Sequence, residues 1–328
     1  ATDILKATGT TGGLVVHVGC GNGKLTSGLR AGDGFVVHGL DTDPANVAQA
    51  RALLGKAGLN GPVAVDTFDG KHLPYADNLV NLLVAEDLGG VTMSEALRVL
   101  TPRGVAYVKS GRTWKKKVKP VPAAIDDWGH YLHGADNNAV ADDARVGPPR
   151  HLQWVSHPLW SRHHDRLASI STVVTGKGRI FYIIDEGPVY APKRPARWSI
   201  AARDAFNGLL LWRRSIGQAR KSLDTMIAAE GNRVYTPMNG KLTCLDAATG
   251  KTRHTYDQVP SFARAHCTLG EALAVQGQTV VVRDWHIRRT EGCVYALDAD
   301  EPKLLWKQKG SRPMLGKDRV FFMQGTDI

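Results

Sequence analysis

The 328 residues predict two domains of different class: a parallel α/β domain at the N-terminus, then an all-β domain built from repeats. Three observations carry this. Apolar strand-length runs alternate with helical patterns over residues 12–111, whereas from about residue 126 short β-runs and turns take over. A turn with an Asp-Ala core recurs at 204–205, 246–247 and 298–299, each time between two strand patterns. Charge divides at the same place: residues 1–111 hold nine basic and ten acidic side chains, whereas the whole chain has 42 basic against 31 acidic, so the formal net charge of +11 resides in the second part.

In the first part, residues 14–18 read as a buried strand, 19–23 as a glycine loop and 24–29 as the start of a helix. A strand over 34–40 and a helix over 44–57 follow, then strands over 63–66, 79–85 and 104–109, with a helix over 93–100 between the last two. This βαβ succession implies a sheet covered by helices. The loop Gly19-Cys20-Gly21-Asn22-Gly23 leaves a strand and opens a helix, where backbone N–H groups can approach a ligand closely. It is not a phosphate-binding loop of the GxxxxGK[ST] type, because Val18 stands at the first glycine position and Leu25 where a hydroxyl is needed. It also fails the dinucleotide pattern GxGxxG, because its third glycine comes one residue early.

Four segments in order, VVHVGCGNGKL, VVHGLDTDPANVAQAR, DTFDGKHLPYADNLVNLLVAEDL and ALRVLTPRGVAYV, resemble the core of class I S-adenosylmethionine-dependent methyltransferases over about a third of the chain. The resemblance implies a Rossmann-like sheet and S-adenosylmethionine as cofactor. Gly19, Gly21 and Gly23 would lie against its amino-acid part, Asp41 would hold the ribose hydroxyls, and Asp69 would face the adenine amine. Carboxylates at strand ends suit both tasks, since they accept from a diol or an amine. The chain departs from the family at His17, where an acidic residue is usual, and after the fifth strand, where it runs into RTWKKKVKPVP. Lysine-rich and proline-ended, that stretch reads as a solvated linker over 112–125, leaving a shortened sheet in 1–111. It lacks the interleaved aromatics of a nucleic-acid surface, so nucleic acid is not an expected partner. No residue identifies a methyl acceptor.

In the second part, 126–328, the segments CLDAATG and ALDAD, and the related ARDAFNG, each follow an upstream strand: GRIFYIIDEG, GNRVYTPMNG and GQTVVVRDW. A fourth upstream copy, DRVFFMQG, begins at Asp318. Repeats of 40–50 residues with about four strands each are a β-propeller pattern. Asp caps each turn, Gly supplies positive φ, and the bulky residue that follows packs between blades. The LDAxTGxxxW turn and the entry segment DDWGHYLHGADNNAV resemble the quinoprotein-like propellers shared by pyrroloquinoline-quinone dehydrogenases and outer-membrane assembly factors. Three blades and a partial fourth make an incomplete propeller, which implies either a longer parent chain or sheet edges covered by a protein partner or by self-association. Without the vicinal cysteines of the quinone enzymes, pyrroloquinoline quinone is not expected.

Six of the twelve histidines fall between 130 and 164. Imidazole at that density can build a metal site, for which His130, His133, His163 and His164 are the candidates. No apolar run reaches the roughly 20 residues of a membrane-spanning helix. The four cysteines show no CxxC or zinc spacing. The chain opens on Ala1 rather than Met, as a form with a signal peptide removed would, giving a periplasmic or extracellular expectation with the cytoplasm as alternative. Together these readings point to an exported binding or scaffold protein with a propeller platform and a degenerate cofactor domain. The alternatives are a methyltransferase whose propeller recruits the acceptor and a metal-dependent oxidoreductase.

Overall fold

The computed structural model describes residues 1–145, 147–148, 152–156, 170–190, 194–217, 226–259, 272–284 and 292–324. The chain divides into two compact units: Ala1–Ala123 with the short pieces Pro149–Val155 and Phe206–Leu211, and the remainder.

The first unit holds α1 (Thr2–Thr8), β1 (Gly13–Val18), α2 (Lys24–Gly28), β2 (Phe35–Asp41), α3 (Pro44–Lys56), β3 (Val63–Thr67), β4 (Val80–Ala85), α4 (Met93–Val99), β5 (Leu100–Ser110) and β6 (Thr113–Val118). The sheet order is β3-β2-β1-β4-β5-β6, with the first five strands parallel. The central strand β1 is apolar on both faces because both are covered. Val15 packs with Val37, Val47 and Leu54 on one side, and Val16 and Val18 with Leu83, Ala96 and Leu100 on the other. Helix α3 starts where Asp43 accepts from the Ala45 amide, with Pro44 in its first turn, and it buries Val47, Ala50 and Leu54 at helical spacing. Helix α4 is capped by Thr92 and runs directly into β5.

The expected linker over 112–125 does not begin at 112. After a turn at Gly111 (φ 63°), Thr113–Val118 folds back as the antiparallel edge strand β6, from Ser110 opposite Thr113 to Val105 opposite Val118. Trp114 stacks on Tyr107 with ring centroids 4.9 Å apart, and Lys116 donates from Nζ to the Ala7 and Thr8 carbonyls at the C-terminus of α1. The sheet is therefore one strand longer than expected, and the first segment of the first unit runs on to Ala123 rather than ending at 111. Lysine content misled the reading: on an outer strand, lysine is an ordinary residue that guards an unpaired edge.

The second unit holds three four-stranded antiparallel sheets: β7 (Ile170–Gly176), β8 (Arg179–Asp185), β9 (Trp198–Asp204) and β10 (Leu210–Gly217); β11 (Ala228–Glu230), β12 (Arg233–Met238), β13 (Lys241–Asp246) and β14 (Thr252–Tyr256); β15 (Leu273–Gln276), β16 (Thr279–Asp284), β17 (Cys293–Asp298) and β18 (Leu304–Lys309). A pair, β19 (Ser311–Leu315) and β20 (Val320–Met323), follows. The first strands of successive sheets, β7, β11, β15 and β19, lie next to one another. The repeat has one physical signature: the alanine N–H of each Asp-Ala turn donates to the turn before the second strand, from Ala205 to Gly178 O (2.9 Å), Ala247 to Asn232 O (3.0 Å) and Ala299 to Gln278 O (3.0 Å). Asp246 accepts from the Ala248 and Thr249 amides, and Asp298 from those of Asp300 and Glu301, as capping aspartates do. Trp212 lies over Gly250 of the next sheet and donates from Nε1 to Ala247 O, so the bulky residue after the turn does join neighbouring sheets.

The entry segment crosses all four first strands. At the position preceding each hairpin, Thr175 N–H donates to Trp128 O, Ala229 N–H to Gly129 O, Val275 N–H to His130 Nε2 and Leu315 N–H to Ala135 O. These four residues are equivalent, since they pair with Ile180, Val234, Val280 and Val320.

Candidate functional site

In an open parallel sheet, ligands bind beyond the carboxyl ends of the strands, and the expected cofactor residues of the first unit gather there. The loop after β1 is tied to the end of β2: Gly19 and Cys20 N–H donate to Leu40 O at 2.8 and 3.0 Å, and Gly21 N–H donates to Asp41 Oδ2 at 2.8 Å. The other Asp41 oxygen accepts from Asp43 N–H (3.0 Å) and Asn46 Nδ2 (3.2 Å). Asp41 is buried, 6% exposed. Burial alone would raise its carboxyl, but the amides of Asp43 and Gly21 and the Asn46 side chain outweigh it and hold the group below the usual range, so it is an anion at neutral pH.

The three glycines differ in function. Gly19 and Gly21 have φ of 73° and 50°, and a Cβ on either would meet no atom within 4 Å, which leaves the outer side of the loop open to a ligand. Gly23, at φ 80°, faces α3, where a Cβ would come within 2.8 Å of the Ala50 Cβ. Gly23→Ala is therefore expected to destabilise the first unit by about 1–3 kcal/mol in denaturant titration. Gly19→Ala meets no neighbour, so beyond the backbone strain of about 1 kcal/mol that any non-glycine residue pays at φ 73° it should chiefly lower affinity for a ligand seated on the loop, measurable by calorimetry.

Asp69 follows β3 and adjoins the end of β2: Phe68 N–H donates to Asp41 O at 3.1 Å, and Gly70 sits against Thr42. Its carboxylate accepts from Lys71 N–H (2.8 Å), His72 N–H (2.7 Å) and His72 Nδ1 (2.6 Å). The His72 bonds above all hold it far below the usual carboxylate range. The turn after β4 joins the group where Gly90 meets the Gly70 carbonyl. The structure thus brings the glycine loop, Asp41 and the Asp69 turn to one end of the sheet. Sequence reasoning missed Asn46 and His72. The first has a readable signal: in DTDPAN, a helix capped by Asp43 turns its third residue back toward the strand end.

Two neighbours are chemically quiet. His17, within 2.8 Å of Thr26 Oγ1, is pushed down to about 4 by burial despite the opposing charges of Glu86 and Asp41, so it stands neutral where the resembling family carries an acid. Burial, then the charge of Asp41, pushes the Cys20 thiol up to about 11, so it is no thiolate nucleophile at neutral pH.

The metal expectation changes. His130 Nε2 accepts the Val275 N–H at 3.0 Å, which occupies the lone pair a metal would need. His133 Nε2 pairs with Asp126 Oδ2 at 2.6 Å. His163 and His164 lie outside the described residues. Among the described residues no group of three or more His, Cys, Asp and Glu is placed to hold a metal. Nor, among them, is any helix long and apolar enough to cross a membrane.

Comparison with known proteins agrees with this division. A family model described as methyltransferase domain matches residues 15–104, and one described as outer membrane protein assembly factor BamB matches 196–325. The methyltransferase GfsG of Streptomyces halstedii is 33% identical over 102 residues, which are 29% of this chain and 36% of that protein. The chain thus spans about a third of the length of this curated relative. Among solved structures, a SAM-dependent methyltransferase from Aquifex aeolicus is 24% identical with a TM-score of 0.30, covering 36% of this chain and 68% of that one. The [4+2]-cyclase SpnF is 28% identical with a TM-score of 0.30, covering 33% and 42%. Residues 15–104 thus match a methyltransferase-domain family and residues 196–325 a PQQ-like, BamB-type one.

Proposed function

We propose that the first unit binds S-adenosylmethionine and serves methyl transfer to an acceptor recruited by the second. The observation that carries this is the buried Asp41 carboxylate, kept ionised and fixed by Gly21, Asp43 and Asn46 beside a glycine loop whose outer side is open. The residues present fit the cofactor. Gly19 and Gly21 leave room for its amino-acid part, Asp41 offers acceptor oxygens to a ribose diol, and Asp69 a carboxylate to the adenine amine. When bound, S-adenosylmethionine supplies an electrophilic methyl group. The chain's own residues would bind and orient it, and His17, held neutral by burial under the glycine loop's strand, would bring no positive charge to this end of the sheet. Calorimetric titration of S-adenosylmethionine into the full chain tests the reading, with saturable micromolar binding expected; absence of heat and of thermal stabilisation by the cofactor sinks it.

A second reading rests on the BamB match over 196–325: a protein-binding platform in the cell envelope, periplasmic or extracellular, with the first unit as a degenerate cofactor fold. It predicts no cofactor binding, and fractionation of the native host would find the protein outside the cytoplasm.

A further inference from the structure

The four equivalent amides on β7, β11, β15 and β19 are unsatisfied by their own sheets, and residues 128–135 supply an acceptor to each. Three acceptors are backbone carbonyls, of Trp128, Gly129 and Ala135, which do not titrate. The third in order is a side chain, His130 Nε2. The segment is further fixed at its start, where Asp127 accepts from Lys177 N–H at 2.9 Å, and by the backbone bridge from His130 N to His133 O at 3.0 Å. We propose that residues 126–138 form an acid-released clasp across the first strands of the four sheets, with His130 as the element that protonation unlocks.

The chemistry follows from the donor. An amide can give a hydrogen bond to Nε2 only if that nitrogen carries no proton, so docking requires the neutral imidazole with its proton on Nδ1. His130 is 6% exposed, so a protonated ring there would be a buried cation facing an N–H donor. The titratable groups acting on it are His133, which disfavours its protonation, and Asp136, which favours it; β15 presents only the Val275 amide. His133 has its own partner in Asp126, whose carboxyl burial would raise but which the bonds from His133 and from the Asp142 and Asp127 amides hold below the usual range. That pair is a contact within the segment, distinct from the His130–Val275 bond.

Burial pushes His130 from 6.5 down to about 4 in the docked state. A released segment would regain the ordinary value. Docking is therefore complete above pH 6.5 and weakens as pH falls toward 4, roughly tenfold per unit, or on the order of 100-fold in all.

Hydrogen exchange on the full chain reads this out. Between pH 8 and pH 4, after correction for intrinsic rates, the amides of Thr175, Ala229, Val275 and Leu315 are expected to lose protection on the order of 100-fold, while Val281, in the core of β16, keeps its own. His130→Gln places a non-titrating acceptor near the Nε2 position and should hold protection flat across the range. In the wild-type chain alone, the His130 ring nitrogens must titrate with the same midpoint as the loss. Flat wild-type protection, an equal loss in His130→Gln, loss at Val281 in step with the clasp, or a ring midpoint elsewhere would each overturn the proposal.

Discussion

Asp41→Ala is expected to weaken S-adenosylmethionine binding by about 100-fold or more. Two contributions add. A ribose diol would lose acceptors that are charged, and a hydrogen bond to a charged group contributes about 1.5–3 kcal/mol. The substitution also strips Gly21 N–H, Asp43 N–H and Asn46 Nδ2 of their acceptor, freeing the glycine loop from the end of β2. The second effect predicts lower stability as well as lower affinity. Asp41→Asn separates the two, because the amide oxygen can still accept on one side while the amide nitrogen meets an N–H donor on the other and the negative charge is gone. Calorimetry on the three proteins, with thermal denaturation in parallel, decides the matter: unchanged affinity in a folded Asp41→Ala chain would remove Asp41 from the site.

Tyr235→Ala should destabilise the second unit by about 3–5 kcal/mol. Tyr235 is fully buried on β12 opposite Cys244, and its hydroxyl donates at 3.1 Å to the Ala299 carbonyl in the Asp-Ala turn of the next sheet. Truncation would empty space among Leu242, Tyr256 and Leu297 and orphan a carbonyl. Tyr235→Phe keeps the volume and removes only the hydroxyl, so about 1 kcal/mol is expected. The difference between the two variants in denaturant midpoint measures packing against hydrogen bonding. Equal losses would mean that the link between sheets, rather than the ring, supports this core.

Much of the fold was legible because its determinants are local. The strands of the first unit are short apolar runs, and the helix after Asp43 announces itself by a cap and a proline. The repeat turns were visible because one aspartate and one alanine do the same physical work in each copy. What stayed hidden depends on distant partners. Nothing in RTWKKKVK shows that Tyr107 will receive Trp114, or that α1 will offer its last carbonyls to Lys116. The glycine loop and Asp41 were readable as a motif, but the support from Asn46 appears only once helix and strand are juxtaposed. His130 was obscure for a related reason. Its place in a histidine-dense stretch suggested a ligand, whereas its acceptor role is set by Val275, far along the chain.

The lysines of β6 have a consequence beyond pairing. Lys115 and Lys117 stand exposed on the outermost strand. A second strand approaching that edge would meet like charge if it brought the same sequence, so the sheet carries its own electrostatic repellent against stacking with copies of itself. Such repulsion acts over a Debye length, about 8 Å at physiological ionic strength and about 3 Å at 1 M. Colloidal behaviour is thereby tied to salt: the edge is best defended in dilute buffer and progressively uncovered as ions screen it.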